Sequence, residues 1–330
     1  MWFKELTGFE EISPQYVKDN IVVDGQKLIS KVNNKTFQFG ELEVVSLEEL
    51  RKKYVQPDAK NSIRVSEIVA DVQKLHSDSN NKNALFQAAS QFNLLEMIGP
   101  GISPESGITK YENDYTQGPA CAIACGAGTI YRNYFVPLDN QTGQTIANQI
   151  DCLEDIGKEL KNKSFGLWEM RNGYALANQE GLLNINKQIS SLTLNEREYL
   201  KGKLKVGIQW NTEVTIVDSE QVVSQVYCSA LPVAYSHIES YYWENFARVI
   251  LEATYEATFH AALINFQRTK SNKVFLTLIG GGAFGNNIDW ILESLFKVVE
   301  KFKNTPLDIR IVSYGNSNNL LREVIEEYGY

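Results

Sequence analysis

The sequence predicts an α/β protein in which parallel strands alternate with helices, and three observations carry that expectation. The C-terminal part alternates cleanly: strand Lys273–Ile279, glycine turn, helix Ile288–Phe302, strand Leu307–Ser313, helix Asn318–Tyr328. That order means right-handed crossovers between parallel strands. Before it, Phe246, Val249, Ile250, Ala253, Ala257, Ala261 and Ile264 recur at helical spacing and mark one face of a long helix. Ala84–Ser90 is apolar without interruption, as expected of a strand covered on both faces.

The first eighty residues read as an accessory α+β segment, followed by a larger domain over 81–330. Asn20–Val23, Lys27–Val32 and Thr36–Phe39 are short strand-like runs separated by Asp24-Gly25 and Asn33-Asn34, both hairpin turn signals. Ser46–Tyr54 begins with a capping box, Ser-Leu-Glu-Glu, and predicts a short helix. Ser66–His76 is a second helical stretch, and the polar run Ser77–Lys82 reads as a linker.

In the larger domain, the strand Ala84–Ser90 leads into a long loop rich in Gly, Pro, Ser and acids, Leu94 to Thr116. Loops of that length without structure of their own tend to be functional. Gln117–Phe135 reads as one buried helix with Pro119 in its first turn, where the missing N–H costs nothing. Leu167–Ala177, Lys205–Val217 and Val222–Leu231 read as strands, and Thr193–Glu196 opens another helix with a capping box.

Composition narrows the function classes. The chain has 330 residues, 43% of them hydrophobic, and a formal net charge of -8. That charge argues against a protein that holds DNA or RNA mainly through phosphates. There is no signal-like N-terminus and no apolar run of membrane-spanning length, so the expected compartment is the cytoplasm, with export of an effector lacking a cleaved signal left open. The four cysteines show no metal-type pairing; Cys121 and Cys125 share a helix face and read as small buried hydrophobes. The three histidines, His76, His237 and His260, are scattered, so no metal and no cofactor is expected.

The motif that carries chemistry is Gly280-Gly281-Gly282-Ala283-Phe284-Gly285, after a strand and before a helix. Glycines let backbone approach a pyrophosphate closely, and the N–H groups of the following helix would face the anion. The bland alternative is a tight turn with no ligand. A nicotinamide-binding oxidoreductase is the first reading of such a turn. It fits poorly, because the next strand ends in Ser313-Tyr314-Gly315 without an acid for a ribose hydroxyl.

Val274–Gly285, with its neighbouring helix and strand, resembles the C-terminal part of macrodomain-fold proteins, nearest the poly(ADP-ribose) glycohydrolase branch. Phe86–Asn93 is similar to the strand that ends in the Asn contacting the distal ribose, and Cys228–Tyr242 to the tyrosine-bearing strand and loop. The resemblance covers residues 83–330 in segment order. It implies a three-layer α/β/α fold with a mixed, mostly parallel sheet, and binding of ADP-ribose or an ADP-ribosylated protein. It further implies hydrolysis of the bond from C1″ to a side chain or another ADP-ribose. Carried over, Asn93 meets the distal ribose, and Gly280, Gly281, Gly282, Ala283, Phe284, Gly285 and Asn286 hold the diphosphate, with Phe284 against the ribose region. Tyr235 belongs to an aromatic cluster with Tyr241, Tyr242 and Trp243 that could stack an adenine, the alternative being packing. Gln117 occupies the place of the family's Gln-Glu-Glu string. Here that place reads Thr116-Gln117-Gly118-Pro119, so the usual catalytic glutamate pair is absent.

The loop supplies other acids: Glu96, Glu105, Glu112 and Asp114. Chemistry through an oxocarbenium-like state needs a carboxylate to activate water or stabilise the cation. Asp114 is expected as the principal carboxylate and Glu96 as its assistant, both near the C-terminal sheet edge. The alternative is that these acids cap helices. A reader that binds ADP-ribose without turnover is the competing function. Arg132 and Asn133 are expected to cap the end of the apolar helix or to bind phosphate.

Overall fold

The computed structural model describes residues 1–53, 62–218 and 220–329. Its centre is a seven-stranded mixed sheet made of β1 (Glu41–Ser46), β2 (Arg64–Val69), β3 (Leu85–Ala89), β4 (Lys205–Glu213), β5 (Val222–Cys228), β6 (Lys273–Leu276) and β7 (Asp308–Ser313), in the order β1-β4-β5-β3-β6-β7-β2. The pairs β5–β3, β3–β6, β6–β7 and β7–β2 are parallel, and the pairs of β4 with β1 and with β5 are antiparallel. The sheet is thus mostly parallel and is flanked by helices, as predicted.

The central strands are apolar because both faces are covered. Leu85, Phe86 and Ala88 of β3 and Val274, Phe275 and Leu276 of β6 are all buried, and the rings of Phe86 and Phe275 stack at 4.6 Å. The long helix Glu244–Thr269 was expected to bury one face. Instead every residue from Val249 to Asn265 is buried, because it packs against the helices Leu47–Lys53, Gln179–Ser190, Leu194–Gly202 and Ile288–Lys301 as well as the sheet.

Several expectations change. Ser66–His76 is not one helix: Arg64–Val69 pairs with β7 as the edge strand, and the helix is Val72–Ser77, capped by Asp71. Both edge strands, β1 and β2, come from residues before 80, so the sheet reaches across the boundary expected there. Gln117–Phe135 is broken at Cys125, whose ψ of 60° interrupts the helical path. Beyond it lie a helical turn at Gly126–Ile130 and a π-helical turn at Tyr131–Phe135. Leu167–Ala177 folds as a separate hairpin, Trp168–Arg171 against Tyr174–Ala177. The helix expected over Ser46–Tyr54 is Leu47–Lys53, with Ser46 and Glu49 forming the capping box; Tyr54 lies outside the described residues.

A second hydrophobic cluster lies beside the main core. Phe3, Leu6 and Phe9 of the N-terminal segment pack with Leu95, Met97, Ile108 and Tyr111 of the long loop and with Ile123 and Ile130. The loop is therefore anchored on its inner side. Among the described residues no helix is long and apolar enough to cross a membrane.

Candidate functional site

A cleft of about 890 Å³ opens at the C-terminal ends of the parallel strands. Its wall takes Ala89, Ser90 and Gln91 from the end of β3, Ala230 from beyond β5, Thr277–Phe284 from beyond β6, and Val312 and Tyr314 from the end of β7. The long loop and the start of the next helix add Glu96, Met97, Tyr111, Asp114, Tyr115, Gln117 and Gly118.

The glycine turn closes on itself. Asn286 N donates to Gly280 O at 2.9 Å and Gly285 N to Gly282 O at 3.0 Å, while Ala234 N donates to Phe284 O at 3.0 Å. Gly280 has φ +80°, and a β-carbon there would come 2.5 Å from the Ala230 methyl; glycine is required by both conformation and space. Gly282 faces open space. Among the described residues no acceptor is set against the N–H groups of Gly282, Ala283 and Phe284. Successive amides of this kind form an anion-binding concavity. The following helix contributes less than expected: it starts only at Ile288, and Asn287 caps it through Asp289 N. The free donors belong to the turn.

Glu96 and Asp114 reach the same cleft. Glu96 N donates to the Tyr111 hydroxyl at 2.9 Å, which ties the Glu96 backbone to the acid-bearing loop. The Glu96 side chain is buried, and its Oε1 has no hydrogen-bond partner. Burial pushes its carboxyl well above the ordinary range; the Arg132 guanidinium opposes this and the Asp114 charge adds to it. Arg132 is itself buried, its charge lying 3.5 Å over the Tyr227 ring, with bonds to Leu94 O and the Gln209 and Thr129 side chains. It lies outside the cleft wall, with its donors turned to partners in the core. Asp114 is half-buried, and its Oδ1 accepts from Thr116 N at 2.9 Å and Thr116 Oγ1 at 2.7 Å. Oδ2 makes no hydrogen bond among the described residues.

Gln117 lines the cleft but its amide is engaged. Its Oε1 accepts from Ala89 N at 2.9 Å and its Nε2 donates to Gln87 O at 2.7 Å, which fastens the helix start to β3. Gly118 is packed tightly, since a β-carbon there would lie 1.9 Å from Ala89 O and 2.3 Å from Glu96 Oε2. Tyr235 lines the cleft beside Phe284, ring centroids 5.6 Å apart, and both contact Tyr174.

The other expected site residues stand apart. Asn93 is buried outside the cleft wall, with Nδ2 donating to Gln149 Oε1 at 2.8 Å and Oδ1 accepting from Leu95 N at 3.1 Å. Gly285 and Asn286 brace the turn from behind; Asn286 Nδ2 donates to Leu231 O at 2.8 Å. Of the remaining loop acids, Glu105 accepts from Ile146 N, and Glu112 accepts from Trp2 N while lining the cleft. Tyr111 and Trp2 also line the site; the sequence offered no signal for Trp2, and for Tyr111 only its place among the loop acids. The four cysteines are free and buried, and the described residues hold no group of three or more potential metal ligands.

No family model matches the chain, and no curated protein matches it. Among solved structures it is similar to the poly(ADP-ribose) glycohydrolase of Thermomonospora curvata, at 9% identity and a TM-score of 0.46, over 96% of each chain. It is also similar to the poly(ADP-ribose) glycohydrolase of Deinococcus radiodurans in complex with ADP-ribose, at 9% identity and a TM-score of 0.44, over 88% of this chain and 95% of that one.

Proposed function

We propose that this chain is an ADP-ribosyl hydrolase, which binds ADP-ribose in the cleft and cleaves the C1″ bond to a modified protein side chain. The observation that carries the reading is the convergence of Glu96, Asp114 and the unengaged amides of Gly282–Phe284 on one cleft. The amides suit a diphosphate, which needs donors and no net positive charge. The carboxylates suit the anomeric centre at its other end. Asp114, held by Thr116 through one oxygen, has its second oxygen free to take a proton from water as that water attacks C1″. Glu96 stabilises the cationic centre or orients the leaving group. Phe284 and Tyr235 offer ring faces to the sugar or base.

Calorimetry with ADP-ribose and NAD, together with a demodification assay on wild type, Asp114→Ala and Glu96→Ala, tests this. ADP-ribose is expected to bind more tightly than NAD. Each substitution is expected to slow cleavage by roughly 10²–10⁴-fold, the usual range for a general acid or base. ADP-ribose binding without cleavage of any conjugate would make the chain a reader, and absence of ADP-ribose binding would end both readings.

A further inference from the structure

The reading above leaves open what is attached to C1″, and the charge of the cleft bears on it. Among the described residues lining the cleft none is Lys or Arg, whereas Asp71, Glu96, Glu112 and Asp114 are all acids. They come from separate places in the chain: the cap of the Val72–Ser77 helix, the start of the loop after β3, and the segment before Gln117. Asp71 and Glu112 are partly engaged, Asp71 by Gln73 N at 2.8 Å, and Glu112 by Trp2 N at 3.2 Å and by the N-terminal ammonium of Met1 at 4.0 Å. Glu96 and Asp114 each keep one carboxylate oxygen without a partner among the described residues. Glu96 Oε1 is buried without a partner, and Asp114 uses one oxygen on Thr116 alone.

Such a wall is poorly suited to a polymer of ADP-ribose: the amides of Gly282–Phe284 can offset the field for one diphosphate, and further diphosphates would meet a field of like sign without them. It is well suited to a cation next to the scissile bond, because unpaired carboxylates gain charge-assisted hydrogen bonds from it. Aromatic faces stand on the same wall. Tyr115, next to Asp114, is 90% exposed and Tyr314 is 78% exposed, so both rings are open for stacking. A guanidinium is planar, stays charged, forks onto carboxylates and stacks on rings, and so matches both features at once.

We propose that the bond cleaved joins C1″ to the guanidinium of an arginine, so that the substrate is a protein carrying single arginine-linked ADP-ribosyl groups. This rests on the reading above that the cleft is an ADP-ribosyl hydrolase site. In the step, the water oxygen forms a bond to C1″ as the C1″–N bond breaks. The electron pair leaves on the guanidine nitrogen. The water's proton passes to the Asp114 carboxylate and on to the guanidine, which departs as guanidinium. Atoms and charge balance with no further reactant. Glu96 accepts the guanidinium N–H groups through Oε1, which is buried without a partner.

The test uses the full chain and four substrates: peptides ADP-ribosylated on arginine, serine or glutamate, and poly(ADP-ribose), with ADP-ribose calorimetry alongside. The arginine conjugate is expected to show a kcat/KM about tenfold or more above each of the others. Tyr115→Ala is expected to raise KM for the arginine conjugate several-fold with kcat little changed. Equal or faster cleavage of another linkage, or no cleavage of the arginine conjugate, overturns the proposal even if ADP-ribose binds. A KM unmoved by Tyr115→Ala also counts against it. If ADP-ribose itself does not bind, the underlying hydrolase reading fails first.

Discussion

The carboxylate of Glu96 lies directly against the α-carbon of Gly118: a methyl group placed there would sit 2.3 Å from Glu96 Oε2 and 1.9 Å from the Ala89 carbonyl oxygen. The acid thus enters the cleft from the loop after β3, and the glycine at the helix start is what leaves it room. Gly118→Ala is expected to cost about 1–3 kcal/mol by overpacking. Because the group pushed aside is Glu96, cleavage should also fall more than ADP-ribose affinity. Thermal melting with paired calorimetry and turnover checks this; a variant with normal melting and normal turnover would show that the contact is of no consequence.

Glu96→Gln separates stability from chemistry. Burial raises the folded-state pKa of Glu96 well above its ordinary 4.5, so the folded protein holds that proton more tightly than the unfolded chain. Below 4.5 both states are protonated and there is no penalty. As pH rises from 4.5 toward the raised value, the unfolded chain ionises first and stability falls. The amide cannot ionise and escapes this loss. Glu96→Gln should melt at or above the wild-type temperature at pH 7, with the gap closing near pH 4, while cleavage is lost. Denaturation at the two pH values decides it; a variant less stable at pH 7 than at pH 4, relative to wild type, would contradict the burial argument.

What the sequence made legible is what local pattern encodes. The glycine turn, the alternation after Lys273, the capping boxes at Ser46 and Thr193, and the placing of acids at the C-terminal strand ends all rest on nearest-neighbour rules. Ser66–Val69 reads as the start of a helix because Ile68, Val69, Val72 and Leu75 fit a helical spacing. Only its pairing with β7, far along the chain, makes it a strand. The side chain of Asn93 closes a local turn with Leu95 N and bonds Gln149, 56 residues further on, a partner that no local pattern announces. Tertiary partners of that kind leave no trace in a short window.

Glu11 is a further example, and it carries a prediction. Its carboxylate accepts from Ile108 N at 2.9 Å, Thr109 N at 2.7 Å and the Tyr134 hydroxyl, and so anchors the segment leading to Tyr111 and Asp114. Glu11→Ala would leave these buried donors without an acceptor, at a cost of about 1–3 kcal/mol each before relaxation. Faster hydrogen exchange confined to residues 95–116, with a fall in kcat, is the expected result. Glu11→Gln, which keeps one acceptor oxygen, should recover part of both. Unchanged exchange in that segment would show that the second hydrophobic cluster alone holds the loop.

A last prediction concerns the ion-pair network that ties the long helix to its neighbours, none of whose members lines the cleft. Glu256 is bonded by Arg51 Nε at 2.7 Å and Lys301, and Glu252 by Lys201 at 3.1 Å, Lys297 at 3.0 Å and Arg197 at 3.4 Å. Burial alone would raise the Glu256 pKa; hydrogen bonds from His260, Arg51 and Lys301 outweigh it and hold the carboxyl well below 4.5. A lowered folded-state pKa gives stability that is complete above 4.5 and is lost as pH falls through the lowered value. Glu256→Gln leaves Arg51 and Lys301 facing a neutral amide in a largely buried place, a change of about 3–5 kcal/mol for a broken buried pair. Exposure of Lys301 and the second partner of Arg51, Glu198, place the expected loss at the lower end. Urea denaturation at pH 7 and at pH 3 should show a clear deficit at the first and a smaller one at the second. ADP-ribose affinity at pH 7 should stay as in wild type. A deficit that is constant with pH would mean that the side chain stabilises by packing and hydrogen bonding rather than by its charge.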